Sequence, residues 1–252
     1  MNYIIFDLEF NQKPFDTSQN NYNHTPSLSF EIIQIGALKL SESFETISDF
    51  NALIKPSVFP SIHPFIEILT GINNAAVSSC KSFPQVYEEF LKFIGDEETI
   101  FCVWGLTDIK ELIRNMKYYD LSFVSISKSY IDIQRHASEY FNAPKDSKIS
   151  LRTAINLLNL PANAEFHDAL NDASYTAEVF KKIYNANMKP QTYVVDKPKR
   201  GFKRKVVIDS EALIKQFGKM YEREISEEEK TMILLSYNMG RTRQFVIETD
   251  ID

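Results

Sequence analysis

The chain has 252 residues, 44% of them hydrophobic and 25% charged, a balance that suits a globular protein with one sizeable core and room for a small appendage. No stretch approaches the roughly 20 apolar residues of a membrane span, and Asp7 cuts the first apolar run short, so neither a membrane helix nor a secretory signal is expected. The net charge of -6 taken whole argues against a nucleic-acid binder, but residues 1–190 hold 16 Lys and Arg against 23 Asp and Glu, while residues 191–252 hold 12 against 11.

Residues 3–10 read as a buried strand, 31–40 as a second, and 49–55 as a third that stops before Pro56. The polar stretch 11–30, with Asn11, Asn20, Asn21 and Asn23, predicts a long loop between the first two. Helical patterns follow at 61–69 and at 82–94, where Phe83, Val86, Tyr87, Phe90 and Ile94 recur three and four residues apart. A short strand is expected at 99–104, a helix capped by Thr107 at 107–116, and a strand at 130–133. Helices at 150–158 and from Asp168 to about Asn187 complete the order βββαβαβαα, without internal repeats. That order predicts an α/β fold with one mixed five-stranded sheet and helices packed on its faces.

The spacing predicts an end to this domain at residue 190, after Lys189-Pro190. Residues 191–205 then form a basic linker, with six Lys or Arg among the nine positions 197–205. Helices are expected at 210–220 and 226–238, the second with a Ser226-x-x-Glu229 capping box and Gly240 just past its end. An appendage of this size, 206–252, is too short for a large core of its own, so it is expected to dock on the main domain or on a protein partner. Two cysteines cannot make a disulfide framework. Cys102 lies in the apolar run 100–104 and reads as a small buried hydrophobe, which fits a reducing cytoplasm.

Asp7 and Glu9 are two apart on the first strand and therefore project to one face. Two carboxylates side by side in an apolar strand are costly unless a cation neutralises them; the alternative is a strand end whose acids are solvated. Asp108 follows the strand that ends at Trp104. A first-turn acid there has an ordinary explanation in the helix dipole, but the position also brings it to the edge of the sheet that carries Asp7 and Glu9. His167 and Asp172, five apart, share a face when His167 lies at or before the helix start, which Asp168 as N-cap permits. Asp172 then shares a stripe with the small residues Ala169, Ala173 and Thr176, which would let the helix come close to the sheet. Singly, each of these residues has a surface explanation; together they describe a metal-binding constellation.

Asp7-x-Glu9, the segment Glu31-Ile32-Ile33-Gln34-Ile35-Gly36-Ala37, Trp104-Gly105 leading to Asp108, and His167-x4-Asp172-Ala173 resemble, in order and spacing, the DEDDh exonucleases of the ribonuclease-H-like superfamily. The subgroup most resembled contains the histone-mRNA and short-interfering-RNA 3′ exonucleases and a bacterial sporulation-inhibitor exonuclease. The likeness covers residues 1–190. It implies a ribonuclease-H-like fold with helices on both faces, and two divalent metal ions, Mg²⁺ or Mn²⁺, held by Asp7, Glu9, Asp108 and Asp172. It also implies His167 as the base that takes a proton from the attacking water. Leu8, Phe10, Leu69 and Thr70 fall where the family contacts its substrate's terminal nucleotide. Leu106-Thr107 and Phe10-Asn11-Gln12 depart from the family's usual residues, so substrate preference is not carried over.

The activity implied is a metal-dependent 3′-to-5′ exonuclease that acts on single-stranded RNA or DNA ends and releases nucleoside 5′-monophosphates. Two other classes compete: a nucleic-acid-binding or regulatory protein on the same fold without turnover, and a structural domain that binds a partner through its C-terminal helices. The first would be expected to have lost a motif residue, and the second leaves the acidic constellation unexplained. Lys199, Arg200, Lys203 and Arg204 in the basic run are candidate phosphate contacts, with a solvated linker as the alternative.

Overall fold

A computed structural model describes residues 1–13, 28–122, 126–144, 147–193 and 209–241. The chain divides into two compact units, residues 1–196 and 197–252. The first runs β1 (Asn2–Gln12), β2 (Phe30–Leu40), β3 (Thr46–Leu53), α1 (Pro64–Thr70), α2 (Asn74–Val77), α3 (Phe83–Ile94), β4 (Thr99–Val103), α4 (Thr107–Tyr118), β5 (Ser129–Asp132), α5 (Ile133–Tyr140), α6 (Leu151–Leu157), α7 (Ala169–Ile183) and β6 (Gln191–Thr192). The second contains α8 (Ser210–Tyr221) and α9 (Glu227–Arg241). None of the described helices is long and apolar enough to cross a membrane.

The sheet order is β3-β2-β1-β4-β5-β6, with β1 antiparallel to β2 and parallel to β4. Alternation along β1 divides the core in two. Ile4, Phe6 and Leu8 pack with Phe83, Phe90, Ile109, Leu112 and Met116 of α3 and α4, while Tyr3 and Ile5 pack with Ile133, Ile155, Ala173, Val179 and Phe180 of α5, α6 and α7. Helices therefore cover both faces, as the resemblance implies. Cys102 is fully buried among the second set.

β2 carries one extra residue where the pairing steps from Glu9↔Gln34 to Phe10↔Ile32. This bulge re-aims the strand. Ile32 stays in the first core, whereas Ile33 turns to Ile62, Ile66, Ile72 and Val77 of the α1–α2 segment. Asn115 of α4 satisfies the disturbed backbone: its Oδ1 accepts from Ile32 N at 3.2 Å and its Nδ2 donates to Phe30 O at 3.1 Å. Two more buried polar residues pin the 57–63 segment to the sheet. Glu31 accepts from the backbone N–H groups of Ser57, Val58 and Phe59 at 2.6–2.9 Å. Asn11 donates to Phe59 O and Ser61 O and accepts from His63 N.

Several sequence expectations need correcting. The sheet has a sixth strand, because Gln191 and Thr192, assigned on sequence to the linker, pair antiparallel with β5; two exposed residues carry no alternation to reveal them. Leu106 rather than Thr107 occupies the N-cap of α4, with no side-chain cap. α7 ends at Ile183 instead of near 187, as Tyr184 adopts an extended ψ of 133°. Gly240 lies inside α9, not beyond it. α2 and α5 were not anticipated. In the second unit the capping box forms, Glu229 N donating to Ser226 Oγ and Ser226 N to Glu229 Oε2, and Ile225 is the one buried hydrophobic residue described there.

Candidate active site

The site begins where β1 outruns β4. Pairing between them covers Asn2–Ile5 against Thr99–Cys102 and then stops, so Asp7 and Glu9 lie on a part of β1 that retains only β2 as a partner. Both continue the face of Tyr3 and Ile5 and look toward α7. The residues directly across on β2 dock that helix. Gly36 pairs with Asp7 and Gln34 with Glu9. A Cβ built on Gly36 would lie 2.1 Å from the backbone of Ala169 and Leu170, so only glycine lets the first turn of α7 rest on the sheet. Gln34 fastens the same turn: its Nε2 donates to Asp168 Oδ2 at 2.9 Å and its Oε1 accepts from Ala169 N at 3.2 Å. Asp168 is the N-cap, accepting from Asn171 N, and Ala169, Ala173 and Thr176 are buried against the strands.

His167 precedes this cap with φ of +67°, a left-handed conformation that costs a non-glycine residue about 1 kcal/mol. The turn aims its backbone N–H at Asp172 Oδ2, 3.1 Å away. Tyr175 braces the approach, its hydroxyl donating to Ala164 O at 2.7 Å and accepting from Ala164 N at 2.8 Å, while its ring stacks on Phe166. Ligand atoms of Glu9, His167 and Asp172 all fall within 4.8 Å of one another. Asp108, on the first turn of α4, is buried and lies within the same electrostatic field.

Crowding shows in the titration of these groups. Burial, then the charges of Asp108, Glu9, Asp172 and Asp168, hold Asp7 well above the usual carboxylate range. Glu9 is pushed to about 9 by burial and by Asp172, Asp108 and Asp168. Asp108 rises to about 7 through burial, tempered by its own backbone N–H, with Glu111 and Asp172 adding to the rise. Asp172 rises to about 6 by burial, against the His167 N–H, with Asp168 pushing up and Arg152 pulling down. His167 is shifted the other way, below the ordinary imidazole value, by desolvation at the cleft wall and then by Arg152. Asp172 Oδ1 is buried with no hydrogen-bond partner among the described residues. An oxygen-rich set with an orphaned buried acceptor and mutually repelling carboxylates fits a hard divalent cation.

The remaining sequence candidates are distributed as follows. Leu8 is buried in the core beside α3 and α4, so any contact it makes with a substrate is through its backbone. Phe10 is half-buried, its ring 6.1 Å from that of Phe30. Leu69 and Thr70 end α1, where the Thr70 hydroxyl donates to Ile66 O and accepts from Ile72 N. Lys199, Arg200, Lys203 and Arg204 lie outside the described residues. Sequence reasoning did not single out Asp168 as part of the acidic field, Gln34 as its tether or Glu111, which is buried one turn beyond Asp108 and ion-paired with Arg114. A lone glycine in a strand, Gly36, was the available signal of close backbone approach.

Residues 4–180 match the exonuclease family model named RNase T. The chain belongs to the exonuclease family. This exonuclease-family chain is 26% identical over 163 residues to human "ERI1 exoribonuclease 3", covering 61% of itself and 48% of that relative. To the DNA polymerase III subunit epsilon of Aquifex aeolicus it is 30% identical over 182 residues, covering 72% of itself and 79% of the relative. The chain thus spans about half the length of its mammalian relatives. In shape it is similar to the nuclease domain of 3′hExo, a DEDDh family member solved with bound rAMP: TM-score 0.63, 18% identity, 77% of this chain and 96% of that one. That likeness carries the fold.

Proposed function

We propose that this chain is a 3′-to-5′ exonuclease that hydrolyses phosphodiester bonds at the 3′ end of single-stranded RNA or DNA and releases nucleoside 5′-monophosphates. The observation that carries this reading is the gathering of ligand atoms of Glu9, His167 and Asp172 within 4.8 Å of one another, with Asp172 Oδ1 unpartnered among the described residues and the charges of Asp7 and Asp108 felt in the same acidic group. Asp7, Glu9, Asp108 and Asp172 would hold two divalent ions, Mg²⁺ or Mn²⁺, which when bound would activate water and neutralise charge on the phosphate. His167, kept below its ordinary pKa, is neutral at pH 7 and can accept the attacking water's proton at an imidazole nitrogen. The αL turn at His167 and the Tyr175 brace orient that ring beside Glu9 and Asp172. Relatives named as exoribonucleases and as a DNA polymerase subunit support both nucleic acids as substrate classes. Backbone at Leu8, together with Phe10, Leu69 and Thr70, would bear on the terminal nucleotide, and the basic run with Lys199, Arg200, Lys203 and Arg204 would add salt-dependent affinity. Two free thiols fit the cytoplasm as its compartment.

A 5′-labelled single strand incubated with Mg²⁺ or Mn²⁺ is expected to shorten in a ladder from its 3′ end, and a 3′-phosphate to slow the reaction. An intact strand with both metals would overturn the reading. Matched RNA and DNA strands run side by side decide the preference.

A further inference from the structure

Arg152 is the second residue of α6 and is exposed. Its guanidinium carbon sits 4.2 Å from the centroid of the Phe166 ring. Phe166 in turn stacks on Tyr175, centroids 4.8 Å apart at 26°, and Tyr175 is tied at both hydrogen-bonding positions to Ala164. The guanidinium is thus the outer layer of a three-part stack whose inner layers are fixed to α7. Phe166 immediately precedes His167, and the charge of Arg152 is felt at both His167 and Asp172, which sets it beside the acidic cleft. Arg152 makes no ion pair with a carboxylate among the described residues.

A guanidinium held over a ring by its charge still has N–H donors to offer, and its fork matches two oxygens of a phosphate. The acidic group of Asp7, Glu9, Asp108, Asp168 and Asp172 offers no positive charge of its own to a polyanionic strand, so a fixed cation beside it has a specific use. We propose that Arg152, held on Phe166, grips a backbone phosphate of the nucleic-acid strand beside His167 and so positions the strand at the cleft. This rests on the nuclease reading above. Arg152 is a substrate-binding group in this account, and Phe166 is the positioning residue beneath its guanidinium.

The test uses the full chain, a fluorescein-labelled single strand followed by anisotropy in Ca²⁺, and initial rates in Mn²⁺. R152A is expected to raise Kd and KM about ten-fold, with kcat within about two-fold of the parent. The slope of log affinity against log salt should become shallower by about 0.7, the value for one phosphate contact on a single strand. R152K, which keeps the charge but loses the planar fork, should restore the salt slope and only part of the affinity. A merely structural role would lower thermal stability or kcat and leave the salt slope unmoved. An R152A protein that binds the strand with parental Kd and slope overturns this proposal and leaves the nuclease reading intact. A parent chain that neither binds nor cleaves the strand overturns both.

Discussion

Replacing Gly36 by alanine tests whether the site depends on contact between a strand and a helix backbone. The added Cβ would sit 2.1 Å from Ala169 C and Leu170 N and 2.5 Å from Ala169 O, against 3.4 Å for ordinary contact, so the first turn of α7 must retreat by about 1.3 Å. No flexible side chain is available to yield, because the opposing atoms are all backbone. The retreat stretches the bonds from Gln34 to Asp168 and Ala169, now 2.9 and 3.2 Å, and leaves a buried amide short of partners. Overpacking costs about 1–3 kcal/mol and the lost hydrogen bonds about as much again. Asp172 and His167 ride on that turn, and a misplacement of about 1 Å in a catalytic group costs roughly a hundred-fold in rate. The expected result for G36A is destabilisation by about 2–5 kcal/mol in urea titrations and a drop of about a hundred-fold in kcat/KM on a 5′-labelled strand. The rise in melting temperature on adding Mn²⁺ should also shrink, since the ligands are spread. A variant within two-fold of parental activity and within about 0.5 kcal/mol of its stability would refute the reasoning.

Three further outcomes follow from the same geometry. Folded-state pKa values of about 9 for Glu9, 7 for Asp108 and 6 for Asp172 exceed their ordinary values, so the metal-free fold holds protons that the unfolded chain gives up. Their contribution to stability in chelator is therefore full below about pH 4 and is lost as pH rises through about 6 to 9. D7N, which removes one of the crowded charges, should flatten that fall and abolish turnover; melts in EDTA that rise with pH for the parent would contradict this. H167A should lower kcat by about 10²–10⁴-fold while the Mn²⁺-dependent gain in melting temperature persists, and parental kcat at every pH would remove His167 as the base. E31A strands three backbone N–H groups at residues 57–59 and should cost about 3 kcal/mol or more in urea unfolding, with a change below about 1 kcal/mol counting against the clamp.

The sequence exposed most clearly what is periodic or spaced. Alternation in β1 set Asp7 and Glu9 on one face, and the small stripe Ala169, Ala173 and Thr176 signalled a helix lying close to a sheet, with Asp168 as its cap. It hid what depends on a partner elsewhere in the chain. The bulge at Ile33 was invisible because Ile32 and Ile33 are both buried, in different cores, and a run of apolar residues has no phase to read. α5 escaped because β5 runs into it without a spacer, Asp132 serving as both the strand's last residue and the helix cap. Within the site, the carboxylates and His167 were legible from spacing, while Gln34, Asp168 and the Arg152–Phe166 stack became visible only through contacts more than ten residues apart in sequence.

The pairing of Asp7 with Gly36 and of Glu9 with Gln34 has a consequence for how this molecule can change. Each acid on β1 faces the residue that moors α7, so one two-strand ladder sets both the spacing of Asp7 and Glu9 and the seat of the helix that carries Asp172. Residues 57–72, held by Glu31 and Asn11, and the Arg152–Phe166 stack lie outside that ladder. If these parts hold the strand as proposed, mutations there would alter which strand is gripped and how tightly without changing the pairing of Asp7 and Glu9 with β2. On that proposal chemistry and recognition would be separable within one small sheet, the first staying fixed while the second diverges.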